Sequence, residues 1–296
     1  MTPQDLPQQG DRRSGSSAQG YLTVALDFDR YLDMAINLAY SIRHFDKERP
    51  ICLVHNDKVQ ISETAKKLFT HFVRLDPKEG YLGCMNKIRL DQVSPFEETM
   101  YVDADCLLVK DDIDRHWRQM AKQYFSMTGD KRYSGHWNSL EIEAVRKKFS
   151  IPHVIQMNSG VFYFRKGAET TRFFDRLREL FRDYRDLLSN IHQSRAGQYA
   201  DEPFFGVAMA EFDLDPLAGA PGLGSLMVTT WRARNCAFDP ARQISRIDKP
   251  QSYWFGIPLL PRRWVHHSPT IAHFIGLKPR PVYEKTAQYF REHIKI

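Results

Sequence analysis

The sequence predicts an α/β protein with a mostly parallel central sheet that is flanked by helices. Two observations carry this prediction: apolar strands alternate with amphipathic helices, and 42% of the 296 residues are apolar. Strands that alternate with helices pair in parallel, because each helix returns the chain to the same edge of the sheet. A chain of this size can bury a continuous core, and we expect one domain.

The first elements follow the order βαβαβ. The chain from Tyr21 to Leu26 is apolar enough for a buried strand, and the next segment repeats apolar residues at the three- and four-residue spacing of a helix. Asp76-Pro77 provides a turn after the third strand. The predicted elements are a strand over 21–26, a helix over 31–44, a strand over 50–55, a helix over 61–69 and a strand over 72–75.

Later elements are less regular. Residues 129–157 mix Gly, Ser, Trp, Lys and Pro, which predicts an irregular segment that folds over a pocket. The long helix that follows alternates Arg with acidic residues, which indicates a solvated face. The other predicted elements are helices over 113–123 and 170–188, strands over 124–127 and 161–164, and loops over 213–225 and 256–264.

The N-terminal residues are poor in apolar side chains. Residues 1–20 contain one large aliphatic residue beyond the initiator Met, too little to offset the entropy of ordering them. We therefore predict a flexible tail over 1–20 and a single domain over 21–296. No internal repeat and no clear linker divides the rest of the sequence.

Charge and cysteine content narrow the class of protein. The net charge of +6 and the pI near 9.0 indicate modest attraction to polyanions, but the basic residues are spread over many segments. The four cysteines show neither a C-x-x-C pair nor a zinc-like spacing, so we expect reduced thiols. No apolar run reaches the ~20 residues of a membrane span, and no signal peptide is recognisable, so we expect a cytoplasmic protein.

The most informative segment is Glu98–Asp105, an apolar strand that runs into two aspartates separated by Ala104. The end of a buried strand is rigid, and a D-x-D step lets two carboxylates bend around one divalent cation that also binds phosphate oxygens. In a mostly parallel sheet, ligands gather at this end of the strands. Two aspartates also begin ordinary solvated turns, so the motif alone leaves both interpretations open.

Three further segments carry polar groups suited to a ligand. Residues 157–162 (Met-Asn-Ser-Gly-Val-Phe) place two short polar side chains and a glycine at the mouth of a strand, which suits close approach of a ligand hydroxyl. Asp201 and Glu202 open a helix, where acids are favoured whatever their function. Residues 271–279 place an imidazole, a glycine and an ammonium close together, a fit for a metal and a pyrophosphate.

In this order and at this spacing, V-D-A-D, N-S-G-V, D-E and H-F-I-G-L-K-P resemble the motifs of the glycogenin-like glycosyltransferases, family eight of the retaining enzymes with the GT-A fold. The resemblance covers residues 21–281. Residues 85–88 (Met-Asn-Lys-Ile) resemble the family's lysine segment, and residues 21–24 followed by Tyr31 resemble its nucleotide-binding first strand. The resemblance implies a Rossmann-like GT-A domain that transfers a hexose from a UDP-sugar to a hydroxyl acceptor with retention of configuration.

The resemblance also implies a metal site. Carried over position by position, Asp103, Asp105 and His273 ligate Mn²⁺, and the donor diphosphate completes the shell. A mixture of carboxylate and imidazole suits Mn²⁺ better than Mg²⁺, which is the alternative ion. Lys278 and the amide of Gly276 then stabilise the diphosphate as it leaves.

Further donor-binding positions follow from the same resemblance. Lys87, Asn158 and Asp201 orient hydroxyl groups of the donor sugar. Thr23 and Tyr31 belong to the nucleotide-binding strand and the helix after it. Ala104 and Ser159 lie inside the V-D-A-D and N-S-G-V motifs and are carried over as donor-binding residues.

The sequence departs from the family at several positions. Asp201-Glu202 stands where many members have Asp-Gln, which places a second carboxylate near the donor sugar; Asp201 and Glu202 are therefore the candidate catalytic residues. A carboxylate there either stabilises the oxocarbenium-like transition state or attacks C1. Same-face attack by the acceptor, in which the departing phosphate acts as the base, needs no protein nucleophile. Recognition of uracil stays open for two reasons. The sequence has Asp-Phe-Asp at residues 27–29, and it has Arg280 where the family often has Trp.

Two other functions stay open on sequence grounds. A sugar-phosphate nucleotidylyltransferase shares the sheet type but needs a Gly-rich loop after the first strand, which this sequence lacks. The second alternative is a catalytically silent module that binds a nucleotide-sugar or a nucleic acid. Such a module does not require the charged motifs, which are intact in this sequence. The acceptor is also open between a glycan, a lipid-linked glycan and a modified nucleic acid, because aromatic and basic residues over 129–156 and 252–267 suit sugars and nucleobases alike.

Overall fold

The structure, a computed structural model, describes residues 18–137, 140–188, 199–217, 222–223, 225–250, 253–254, 257–258 and 264–296. The helices are α1 (Asp29–Phe45), α2 (Glu63–Leu68), α3 (Ile113–Met120), α4 (Ile142–Phe149), α5 (Ala168–Leu188), α6 (Glu202–Glu211) and α7 (Arg280–His293). Short 3₁₀ helices cover Gly83–Gln92, Pro240–Arg242 and Ile275–Leu277. No helix within these ranges is long and apolar enough to cross a membrane.

The strands are β1 (Gln19–Ala25), β2 (Ile51–His55), β3 (His71–Arg74), β4 (Glu98–Val102), β5 (Cys106–Leu108), β6 (Phe125–Arg132), β7 (His136–Trp137), β8 (Leu140–Glu141), β9 (Val154–Arg165), β10 (Gly222–Leu223), β11 (Met227–Thr229), β12 (Asn235–Asp239), β13 (Ile244–Pro250), β14 (Tyr253–Trp254), β15 (Ile257–Pro258), β16 (Trp264–Ser268) and β17 (Ile271–His273). β7 with β8 and β14 with β15 form two-stranded ribbons.

The central sheet has six strands in the order β3-β2-β1-β4-β9-β6. The first four are parallel, and β9 is antiparallel to both β4 and β6, which confirms the mostly parallel sheet. Because β9 runs against β4, the middle of β9 lies beside the end of β4: Val102 pairs with Val161, and the amide of Asp103 donates to the carbonyl of Gly160 at 2.8 Å.

Two smaller sheets extend the domain. In the order β11-β17-β5, β17 is antiparallel to β5 and pairs His273 with Cys106, which brings the C-terminal histidine next to the D-x-D turn. A four-stranded sheet in the order β10-β16-β13-β12 adjoins this region in sequence. These pairings join segments that are far apart along the chain.

Apolar side chains cover both faces of the central sheet. On one face, rings from β6 and β9 pack against α5 and α6; Phe125, for example, stacks on Phe205 with ring centroids 5.7 Å apart. On the other face, α1, α3 and α7 contribute Leu38, Trp117 and Phe290 to a second cluster. Helices on both faces bury each side of the parallel strands, as the sequence predicts.

The prediction of an irregular segment over 129–157 is mostly wrong. β6 continues past Met127 to Arg132 through a register shift, the β7–β8 hairpin and α4 follow, and β9 begins at Val154. The strand pair persists because Gly129 has no side chain: a Cβ there would lie 2.9 Å from the carbonyl oxygen of Gln156. Glycine here permits close backbone approach within a strand instead of breaking it.

The other predicted elements over 21–188 and at 201 are confirmed, with ends that differ by a few residues except for β9, which begins at Val154 instead of residue 161. β1 begins at Gln19, inside the predicted tail, and residues 1–17 lie outside the described residues. The predicted loops over 213–225 and 256–264 lie partly outside them as well. The division into a tail and one domain therefore stays a prediction.

Candidate functional site

Asp103 and Asp105 lie in a tight turn between β4 and β5. The amide of Cys106 donates to the carbonyl of Asp103 at 3.0 Å, which closes the turn, and Ala104 is buried within it. The two carboxylates are partly exposed. The D-x-D motif therefore ends a rigid strand and presents its acids at the carboxyl edge of the sheet, as the sequence predicts.

His273 ends β17 and points at both aspartates. Its Nε2 lies 3.1 Å from Oδ1 of Asp105 and 3.9 Å from Oδ2 of Asp103. The amide of Phe274 donates to the carbonyl of Asp105 at 3.0 Å and holds the two segments together. The structure thus brings together the three residues expected to bind the metal.

The distance from His273 to each aspartate allows a shared divalent cation. With metal–ligand bonds of about 2.1 Å, two atoms bound to one ion lie no more than about 4.2 Å apart. Both distances from His273 to the aspartates meet this limit. Among the described residues, the possible ligand atoms that all lie within 4.8 Å of one another belong to Asp105, Cys106 and His273, and this group does not include Asp103. Burial raises the pKa of the Cys106 thiol well above the usual value, which disfavours the thiolate that binds metals.

Asn158 determines which nitrogen of His273 faces the aspartates. The Gly160 amide donates to Oδ1 of Asn158 at 3.1 Å, so this atom is an acceptor, and Nδ1 of His273 lies 2.8 Å from it. Nδ1 therefore carries a hydrogen, and Nε2 faces Asp105. A histidine held in this way through its second nitrogen is the usual arrangement in metal sites.

Two opposing effects act on the pKa of His273. Burial lowers it, but the hydrogen bond to Asp105 and the charges of Asp105 and Asp103 raise it, and the net shift is upward. The same acids that would share a cation with His273 thus favour its protonated form. Protons and divalent cations consequently compete for Nε2.

Gly160 is required by the imidazole. A Cβ at this position would lie 2.5 Å from Nδ1 of His273 and 3.0 Å from Oδ1 of Asn158. The sequence predicts that this glycine admits a ligand hydroxyl; in the structure the side chain that approaches it is His273. The N-S-G motif therefore positions a candidate metal ligand.

Lys87 lies buried beneath the cluster. Its ammonium donates to Oδ2 of Asp103 at 2.9 Å and to the carbonyl and hydroxyl oxygens of Ser159 at 3.2 and 3.1 Å, and Oδ2 of Asp201 lies 3.6 Å away. Burial lowers the pKa of Lys87, but Asp103 and Asp201 together raise it well above the usual value. This permanent positive charge helps to hold the pKa of Asp103 below its usual value despite burial.

Asp201 and Glu202 stand at the start of α6 and face the same cluster. Asp201 is only 3% exposed, and its Oδ2 has no hydrogen-bond partner among the described residues. Burial raises its pKa. Oε1 of Glu202 accepts a hydrogen bond from Nδ2 of Asn158 at 3.0 Å, and burial, followed by the charge of Asp201, raises the pKa of Glu202 to about 7. Asp201 and Glu202 therefore contact residues of the candidate site in addition to beginning α6.

The remaining predicted residues lie on neighbouring elements. Thr23 is buried on β1, and Tyr31 is half-buried on α1. Gly276 and Lys278 are exposed on the turn after β17, where the hydroxyl of Thr230 donates to the carbonyl of Lys278. Their roles in donor binding stay predictions.

Sequence reasoning missed Tyr101. Its hydroxyl donates to Oδ1 of Asp103, so both oxygens of that carboxylate have partners. The signal was available: residues two apart on a strand share a face, and Tyr101 precedes Asp103 by two. Cys106 was also missed: it follows Asp105 directly in the sequence, but its closeness to His273 depends on the antiparallel pairing of β5 with β17, which is not evident from sequence.

Comparison with known proteins finds no matching family and no matching curated protein. Among solved structures, the galactosyltransferase LgtC in complex with donor and acceptor sugar analogues has a TM-score of 0.53, covering 92% of this chain and 94% of that chain at 14% identity. An active-site variant of LgtC, with glutamate in place of glutamine, gives a TM-score of 0.52 over the same shares at 15% identity. The similarity shows the fold, which is the GT-A fold that the motifs predict.

We predict that Gly160→Ala weakens binding of Mn²⁺ by about 10- to 100-fold, the usual effect of disturbing a residue that orients a metal ligand. The added methyl group displaces the imidazole of His273. Isothermal titration of the purified protein with MnCl₂ measures the change.

The control for this variant is Gly135→Ala, which strains a positive φ in the segment before β7, where the Gly135 amide donates to the Glu143 carboxylate. It should lower thermal stability and leave the affinity for Mn²⁺ within twofold of the wild type. Unchanged affinity in Gly160→Ala would contradict the assigned role of His273.

A second prediction concerns pH. Because the pKa of Glu202 is raised from 4.5 to about 7 in the folded state, the folded protein keeps a proton that the unfolded chain has lost. The resulting stabilisation is present at low pH and disappears as pH rises from about 4.5 to about 7. The free energy of unfolding of the wild type minus that of Glu202→Gln should therefore fall over this range, measured by urea denaturation in EDTA. Glu292→Gln on α7 serves as a control, and a trend no steeper than the control would refute the pKa assignment.

Proposed function

We propose that this protein is a metal-dependent retaining glycosyltransferase that moves a hexose from a UDP-sugar to a hydroxyl acceptor. The observation that carries the proposal is the convergence of Asp103, Asp105 and His273 at the carboxyl edge of a GT-A sheet. The proposal is further supported by Asp201 and Glu202, which face the same cluster from α6.

Each group has a role that follows from its place. When bound, Mn²⁺ would neutralise the charge that develops on the departing diphosphate. Asp103, Asp105 and His273 would hold it, and Asn158 keeps Nε2 of His273 directed at the carboxylates. Lys278 and the Gly276 amide are exposed where they can meet the same diphosphate, and the stabilisation that they provide grows as negative charge develops.

The residues around the candidate metal ligands bind the donor sugar and the nucleotide in this proposal. Asn158 and Asp201 bind sugar hydroxyl groups in this proposal. Oδ2 of Asp201 supports it, because this buried acceptor has an ion pair with Lys87 at 3.6 Å but no hydrogen bond among the described residues, and a buried acceptor without a donor is costly. Lys87 already donates to three acceptors, so its main effect is to position Asp103 and Ser159. Thr23 on β1 and Tyr31 on α1 contact the nucleotide, and Ala104 and Ser159 line the donor pocket.

Glu202 is the candidate residue for stabilising or attacking the anomeric carbon. One of its oxygens accepts a hydrogen bond from Asn158, and a pKa of about 7 leaves only part of the population ionised near neutral pH. A nucleophile must be ionised, whereas same-face attack by the acceptor places no such demand on Glu202. The structure's geometry therefore favours a role for Glu202 in orienting Asn158 and stabilising positive charge.

We expect release of UDP from UDP-hexose in the presence of Mn²⁺ and none in EDTA, with either water or acceptor as the second substrate. His273→Ala and Asp105→Asn should lower kcat/KM at least 100-fold, on the order of the loss when a preorganised electrostatic contact is removed. A coupled UDP assay and ³¹P NMR measure this. Formation of UTP from added pyrophosphate would identify a nucleotidylyltransferase instead.

The matched controls for these variants are His293→Ala and Asp111→Asn, both at exposed positions outside the cluster. Both should retain wild-type rates. Binding of UDP-hexose without turnover, in the wild type as in the variants, would identify a silent binding module.

A separate prediction tests the role of Glu202. If Glu202 orients Asn158, Glu202→Gln keeps an oxygen acceptor for Nδ2 and should lower kcat by less than tenfold. Glu202→Ala removes that acceptor and should lower kcat further and weaken Mn²⁺ binding. Loss of all turnover in Glu202→Gln, with trapping of a glycosyl-enzyme on Glu202 by mass spectrometry of the wild type, would establish the nucleophile instead.

A further inference from the structure

Tyr101 lies on β4, two residues before Asp103, and its ring is held from two directions. The ring stacks on that of Phe162 from β9, with centroids 4.6 Å apart and planes inclined by 27°. The ammonium of Lys87 lies 5.3 Å from the centroid of the same ring. Because Tyr101 is only 2% exposed, these neighbours fix the ring and, with it, the position of the phenol hydroxyl.

The hydroxyl of Tyr101 and the ammonium of Lys87 hold different oxygens of the Asp103 carboxylate. The hydroxyl donates to Oδ1, and the ammonium donates to Oδ2 at 2.9 Å. The ammonium is itself fixed by the carbonyl and hydroxyl oxygens of Ser159. Rotation of the carboxylate about its Cβ–Cγ bond would disturb both hydrogen bonds, so the two oxygens keep distinct surroundings.

The orientation fixed in this way turns one oxygen of Asp103 toward the candidate metal ligands. Oδ2 lies 3.9 Å from Nε2 of His273, which allows both atoms to bind one ion. A carboxylate oxygen has two lone pairs, so Oδ2 can accept from Lys87 and still bind a cation. Binding through both oxygens would require the carboxylate to turn until Oδ1 and Oδ2 were equally far from the ion. The hydrogen bond from Tyr101 resists this rotation.

We propose that Tyr101 is a positioning residue that makes Asp103 a metal ligand through Oδ2 alone and thereby favours Mn²⁺ over Ca²⁺. The inference rests on the proposed function and extends it to the choice of metal. Ca²⁺ takes about six to eight oxygen ligands, and carboxylates can bind it through both oxygens. A compact site with one imidazole and single carboxylate oxygens suits the smaller Mn²⁺.

The test compares binding of MnCl₂ and CaCl₂ to the full chain by isothermal titration, without nucleotide and again with UDP. Tyr101→Phe keeps the ring that contacts Phe162 and Lys87 and removes only the hydroxyl. We expect the affinity for Mn²⁺ to fall about 10- to 100-fold, the usual effect of losing a group that orients a metal ligand. The affinity for Ca²⁺ should stay within about threefold or rise, because the freed carboxylate can offer both oxygens.

Two further variants distinguish positioning from a general loss of stability. Tyr163→Phe removes another buried hydroxyl, from the opposite face of the same sheet, and should leave both metal affinities within about twofold, as expected of an independent site. In a chain that already carries Asp103→Asn, adding Tyr101→Phe should not alter the preference for Mn²⁺ over Ca²⁺ further, because Tyr101 acts through the Asp103 carboxylate.

The proposal is overturned if Tyr101→Phe leaves the preference for Mn²⁺ unchanged, or if it has the same effect together with Asp103→Asn. An equal effect of Tyr163→Phe would overturn it as well. If Tyr101→Phe does not fold, the wild type still provides a test, since equal affinities for Mn²⁺ and Ca²⁺ contradict the proposal and a clear preference for Mn²⁺ supports it. Failure of the wild type to bind Mn²⁺, with or without UDP, would instead refute the metal dependence in the proposed function.

Discussion

The hydrogen bond between the Asn158 carboxamide and the His273 imidazole organises the candidate site. It fixes the hydrogen on Nδ1 and leaves Nε2 facing Asp105. The bond exists only because β9 runs antiparallel to β4, because β17 pairs with β5, and because Gly160 leaves room for the ring. The same carboxamide reaches Glu202 through its nitrogen, so a single side chain links the candidate metal ligands to the acids of α6.

The charge balance of this cluster supports the proposed binding of a cation. Four carboxylates, those of Asp103, Asp105, Asp201 and Glu202, are accompanied by Lys87 and His273. Lys87 is already engaged with Asp103 and Ser159, and the raised pKa of His273 and of Glu202 shows the protein taking up protons in partial compensation. A divalent cation and a polarised sugar would supply the missing positive charge, whereas a purely structural cluster would be costly to bury.

Much of the fold follows from local sequence signals. The βαβαβ pattern, the D-x-D strand and the start of α6 are read from apolar periodicity and turn residues, and the structure confirms them within a few residues. The prediction failed over 129–157, where Gly and Ser were taken as signs of irregular structure. There the neighbouring strand β9 imposes pairing on β6, and Gly129 permits close backbone contact, so a tertiary interaction outweighs local composition.

The sequence by itself determined the identity and order of the chemical groups: two acids at a strand end, an Asn-Ser-Gly step, an acidic helix start and a C-terminal His-Gly-Lys segment. Motifs of this kind survive at low overall identity because the chemistry constrains them. Only the tertiary structure decided that Asn158 orients His273 and that Tyr101 and Lys87 occupy the oxygens of Asp103. Those facts depend on strand register and on distances between segments far apart in the chain, which local patterns do not encode.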